Sequence, residues 1–197
     1  VADGTMAISA TQTTPSFYGN VPDTKKYYAL STLEATSEDH VVNSASGYAG
    51  LINYAHGALI RDLGLIESKI QGVNVGGICG SGRITTFLNC YNGAEVIGTC
   101  AGGITSGYQI NGNSTVTQCR NYGNITATSM AGGIIGELWF TTVQQCYNEG
   151  VITSDLKAGG ISGNAGYVSI YNSYNTGTST CICYTVKNFL NINFCFN

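Results

Sequence analysis

The feature that most limits what this chain can fold into is a Gly-Gly-Ile triplet that returns in phase with a second marker. Gly76-Gly77-Ile78, Gly102-Gly103-Ile104, Gly132-Gly133-Ile134 and Gly159-Gly160-Ile161 recur at steps of 26, 30 and 27 residues. Cys90-Tyr91-Asn92, Cys119-Arg120-Asn121, Cys146-Tyr147-Asn148 and Ser173-Tyr174-Asn175 follow each first glycine by 14, 17, 14 and 14 residues. A period of this size marks one supersecondary unit repeated, and such a unit buries its apolar face only against its neighbours. The three extra residues of the second unit fall around Gly107 to Asn113, where a surface loop is expected to grow. Upstream, Ala49-Gly50-Leu51-Ile52 precedes Val75-Gly76-Gly77-Ile78 by 26 and reads as a further, shorter unit.

Between the markers, β-branched and hydroxyl residues alternate with apolar ones, as in Ser114-Thr-Val-Thr-Gln-Cys119 and Thr141-Thr-Val-Gln-Gln-Cys146. That is the period of a half-buried strand, and helical periodicity is hard to find past residue 75. Short strands separated by Gly and Asn turns every 26 to 30 residues match the coils of a solenoid. The expected fold is therefore all-β, a parallel β-solenoid (β-helix) of four to five coils. Three segments are expected: an N-terminal cap over 1–46, solenoid repeats over 47–180 and a C-terminal strand tail over 181–197. The 27 glycines are expected at coil turns.

Ile60-Arg-Asp-Leu-Gly-Leu-Ile-Glu-Ser-Lys-Ile-Gln-Gly72, Val75-Gly-Gly-Ile-Cys-Gly80, Asn89-Cys-Tyr-Asn92 and Gly98 together resemble the GLUG-motif repeat, over roughly residues 47 to 180. That family is known from large bacterial and archaeal surface proteins, including immunoglobulin A-cleaving metallopeptidases and adhesin-like proteins. The resemblance implies a β-solenoid and an extracellular or cell-surface setting. It implies no activity, because in those proteins the repeats accompany the enzymatic or anchoring domains. Both ends of this chain depart from the repeat pattern.

Composition narrows the function classes. Charged residues make up 10% of the chain and hydrophobic ones 43%, which is too little charge and too much apolar surface for a solvated disordered segment. Eight scattered Lys and Arg in a chain of net charge −3 form no basic stripe, so neither nucleic acid nor an anionic membrane surface is an expected partner. No apolar run is long enough to span a bilayer, and membrane insertion is not expected. There is no secretory signal at Val1, and the lack of an initiating Met fits a mature or trimmed product.

The eight cysteines divide by position. Cys90, Cys119 and Cys146 share one repeat position with Ser173, which predicts a stacked ladder of small buried side chains. Cys79, Cys100, Cys181, Cys183 and Cys195 lie outside it and are disulfide candidates in an oxidising compartment, with partners left open. No metal or other cofactor is expected: His40 and His56 are the only histidines, neither lies near a Cys-x-x-Cys, and no His-Glu-x-x-His is present. Among the repeat carboxylates Glu95, Glu137, Glu149 and Asp155, only Glu137 and Glu149 offer an acid pair, and they do not recur in register. Asn113 and Asn124 fit the glycosylation sequon. Outward threonine ranks, as on ice-binding solenoids, are too irregular to carry that function.

The tail Leu190-Asn-Ile-Asn-Phe-Cys-Phe-Asn197 places Leu190, Ile192, Phe194 and Phe196 on one face, without charge or proline. Such a segment either caps its own solenoid or pairs with a neighbouring chain. The function expected on these grounds is that of a non-catalytic extracellular structural protein that self-associates as a filament, ring or sheath. An adhesin or spacer module of a larger surface protein, with host or cell-surface glycans as partners, is the alternative. A polysaccharide-active enzyme ranks behind both.

Overall fold

The computed structural model describes residues 8–9, 41–107 and 113–181. It is all-β, its sheets are parallel, and the chain winds through about five stacked coils of a β-solenoid, as the repeat predicts. Each coil runs through three faces. After the Gly-Gly bend comes a first face, formed by Ile52–His56, Cys79–Arg83, Ile135–Trp139 and Ser162–Gly166. A second, five-stranded face follows: Leu59–Arg61, Thr86–Leu88, Ser114–Thr117, Thr141–Gln144 and Ser169–Tyr171. The third face is the widest, with Val41–Ala49, Gly64–Gly76, Tyr91–Gly102 and Ile125–Gly132 as its long strands.

Register on the second face is one-to-one, so each side-chain type forms a column along the axis. Ile60, Phe87, Val116, Val143 and Ile170 stack inward, while Thr86, Thr115, Thr142 and Ser169 point out. On the third face Ile70, Val96, Ile125 and Ile152 form a second inward column, all fully buried. Each such side chain contributes about 1.5–3 kcal/mol when removed from water, and a coil gains this only when its neighbours are in place.

The double glycines sit at a corner, but not because the backbone there is left-handed. Among the described residues, glycines of positive φ are Gly47, Gly57 and Gly107. At the Gly-Gly corner the reason is close approach: a Cβ on Gly132 would meet the carbonyl of Ile135, and one on Gly133 the carbonyl of Gly160 and the Asn148 side chain. The left-handed corners are built instead from residues with side chains. Ile84, Phe140 and Tyr167 (φ 51, 49 and 52) turn the chain from the first face to the second. Asp62, Asn89, Gln118, Gln145 and Asn172 (φ 53, 51, 55, 54 and 47) turn it from the second to the third.

One boundary differs from the expectation. The strand Val41–Ala49 pairs in parallel with Gly64–Gly76, so the solenoid begins inside the segment expected to be a cap. Within that segment, Ile8–Ser9 adds a short strand in parallel to Ile52–His56. In the third coil the first face is reduced to isolated bridges from Thr105 to Cys79 and Ile135, and most of the loop expected around Gly107 to Asn113 lies outside the described residues.

Candidate functional site

Six of the left-handed corners are completed by a buried hydroxyl or thiol directly after the left-handed residue, while Leu63 and Val168 follow Asp62 and Tyr167. The partner of the hydroxyl or thiol is the carbonyl two residues back, and at Arg83, Leu88, Thr117, Gln144 and Tyr171 that oxygen also accepts a backbone N–H of the preceding coil. At the second corner Cys90 donates to Leu88 O, Cys119 to Thr117 O, Cys146 to Gln144 O and Ser173 to Tyr171 O, over 3.5, 3.3, 3.3 and 2.9 Å. At the first corner Thr85 and Thr141 do the same toward Arg83 O and Trp139 O, both at 3.0 Å. The thiols also join neighbouring coils: Cys119 N donates to Cys146 Sγ, and Cys146 N to Ser173 Oγ. Burial pushes the Cys119 thiol above its ordinary range.

Two residues further on lies a ladder of buried amides. Asn92 Nδ2 donates to Asn121 Oδ1 at 2.8 Å, Asn121 to Asn148 at 2.6 Å, and Asn148 to Asn175 at 2.7 Å. The second hydrogen of each Nδ2 goes to the carbonyl two residues ahead: Ala94, Gly123, Gly150 and Gly177 for Asn92, Asn121, Asn148 and Asn175. The ladder is polar, running donor to acceptor toward the C-terminal coils. It starts above Leu65, and Asn92 Oδ1 there accepts from the Ala94 backbone N–H at 3.2 Å.

Outside the second corner runs a groove of about 470 Å³. Its floor is the left-handed column Asp62, Asn89, Gln118 and Gln145, with Arg61 and Leu88 on one flank and Arg120 and Tyr147 on the other. Asp62 binds Arg61 Nε at 2.6 Å and Asn89 Nδ2 at 2.7 Å. Burial alone would raise the Asp62 pKa, but the hydrogen bonds from Asn89 and Arg61 and the Arg61 charge outweigh it and hold the carboxyl below its usual value. The Arg120 guanidinium lies 5.2 Å from the centroid of Tyr147, whose other neighbour, Tyr174, is stacked at 5.2 Å. A hydrogen bond to Tyr122 raises the pKa of Arg120, and one between the Tyr122 and Tyr147 hydroxyls pushes Tyr147 up to about 12.

The remaining expected residues are dispersed. Cys79 and Cys100 are buried thiols bonded to no other cysteine among the described residues; each donates to a carbonyl, of Ser81 and Ser106 respectively, and burial pushes both up to about 12. Cys181 is exposed, and its thiol donates to the Leu156 carbonyl at 2.8 Å. Asn113 and Asn124 are both exposed, and Asn124 Oδ1 accepts from Val151 N at 3.2 Å. Glu137 is on the first face, bound by Asn164 Nδ2 at 3.0 Å, whereas Glu149 follows Tyr147–Asn148 on the third, so the one nominated acid pair is divided between faces. Among the described residues no group of three His, Cys, Asp or Glu comes together as a metal site. Cys183, Cys195, Leu190, Ile192, Phe194 and Phe196 lie outside the described residues.

The amide ladder and the groove are what a residue-by-residue reading misses. Their signal is in the sequence all the same: an Asp, Asn or Gln directly precedes each member of the Leu63, Cys90, Cys119, Cys146, Ser173 series. Comparison with protein-family models, with curated proteins and with solved structures found no match for this chain.

Proposed function

We propose that this chain is a non-catalytic structural protein of an extracellular or cell surface, whose solenoid is extended by pairing with further copies. The observation that carries the reading is the pair of edges on the second face. Among the described residues, Leu59–Arg61 and Ser169–Tyr171 end that sheet on opposite sides, each with a single neighbouring strand. Neither edge has a proline or an acidic residue, Arg61 is the one charge on them, and Ser169–Tyr171 has none, so little on them blunts strand addition. A head-to-tail contact would set Ser169–Tyr171 beside Leu59–Arg61 of the next copy once Val41–Ala49, which lies on Gly64–Gly76 at the same level of the third face, gives way to Ser179–Cys181. Repetition of such a heterologous contact yields a filament or a ring.

Register makes the test specific. Tyr171 belongs to the column of Arg61, Leu88, Thr117 and Gln144, so Tyr171→Lys would oppose a lysine to Arg61 of the adjoining copy. Sedimentation velocity over a concentration series should show the parent chain forming large species and Tyr171→Lys remaining small, with unchanged circular dichroism. A parent chain that stays monomeric at high concentration would refute the reading.

A further inference from the structure

We propose that the groove outside the second corner is a binding site for an extended oligosaccharide that carries an acidic sugar. The inference goes beyond the structural reading and does not depend on it. The side-chain amides of Gln118 and Gln145 face the groove without a hydrogen bond to any described residue. Each offers one acceptor oxygen and two donor hydrogens in a plane, the pattern that adjacent sugar hydroxyls satisfy. Successive coils repeat at about 4.8 Å, close to the advance of one ring along an extended β-linked glycan, so each ring meets a new polar group. Leu88 and the edge of Tyr147 supply the apolar surface against which ring C–H groups pack.

Arg120 sets the charge preference. It makes no ion pair among the described residues, whereas Arg61 is paired with Asp62. Its guanidinium lies over the Tyr147 ring at an exposed position beside the groove, where it can reach a ligand carboxylate. A carboxylate on one sugar fits it. A polyanion such as nucleic acid does not, because the chain as a whole is net −3. The one carboxylate of the groove, Asp62, is already held by Arg61 and Asn89, so the site binds without cleaving.

The test is a nuclear magnetic resonance titration of the whole nitrogen-labelled chain with two probes of one backbone, cellotetraose and a β-1,4-linked tetrasaccharide in which one glucose is replaced by glucuronate. The mono-uronate should shift the Asn89, Gln118, Arg120 and Gln145 signals and saturate. It should bind about 10-fold more tightly than cellotetraose, the order of one hydrogen bond to a charged group. Arg120→Gln should bring the mono-uronate down to the cellotetraose level, and Gln118→Ala with Gln145→Ala should weaken both. All three side chains are exposed, and signals elsewhere report whether each variant keeps its fold. Absence of shifts at the groove with either sugar, shifts confined to another surface, or equal binding of an oligonucleotide of matching charge would overturn the proposal.

Discussion

At the residue scale, the side chains that matter most are those whose polar atoms are buried and fully used. No buried side-chain nitrogen or oxygen among the described residues lacks a partner, and the asparagine ladder is where that condition is most exposed to mutation. Asn121→Leu removes the acceptor of Asn92, the donor to Asn148 and the donor to Gly123 O at once. Each buried group left unpaired costs about 1–3 kcal/mol, so a loss of about 3 kcal/mol or more is expected from urea unfolding midpoints. Asn121→Asp should be worse despite its matching shape, because a carboxylate cannot donate to Asn148 Oδ1 and brings a buried charge. Loss below about 1 kcal/mol in both variants would mean that the ladder is not a structural element.

The buried thiols predict a pH dependence. Cys79 and Cys100 are raised from 9.0 to about 12 by burial, with the Glu137 charge adding to the effect at Cys100. Below pH 9 these thiols are protonated in folded and unfolded chains alike, and their contribution is fully present. Between pH 9 and about 12 the unfolded chain gives up protons that the folded chain keeps, so stability falls with rising pH, by about 1.4 kcal/mol per unit for each thiol. Cys79→Ser should flatten the alkaline limb of the stability curve relative to the parent; an unchanged slope would show that the thiol titrates normally.

At the scale of the coil, two kinds of corner obey opposite rules. Left-handed corners hold residues with side chains, and the β-branched Ile84 at φ 51 is the most strained among them. Gly57 fills the same corner one coil earlier, so Ile84→Gly should stabilise the chain by about 1 kcal/mol in thermal unfolding. Gly132→Ala should do the reverse and cost several kcal/mol, because the added Cβ meets the Ile135 backbone. If both substitutions proved neutral, the corner assignment would fail. Phase was legible in the sequence because Gly-Gly-Ile and the Cys/Ser-x-Asn marker keep it, and parallel strands with inward columns follow from alternation between them. What glycine does at its corner was not legible, since a left-handed turn and a tight approach select the same residue. Nor was the groove: Gln118 and Gln145 are unremarkable turn residues until stacking places them in one column with Asp62 and Asn89.

At the scale of the molecule, the account is of a short stack of coils whose stability grows by neighbour contacts and whose ends continue the pattern of its interior. The inward column of the second face ends in Ile170, and beside it the fifth coil exposes Tyr167, Tyr171 and Tyr174. Low charge leaves few gatekeepers on these strands. Electron cryomicroscopy of the concentrated protein tests this most directly. The account predicts filaments or rings in which strands spaced by about 4.8 Å run unbroken across the boundary between copies, with Ser169–Tyr171 beside Leu59–Arg61. Particles that remain single solenoids, or copies joined side by side with both edges open, would contradict it.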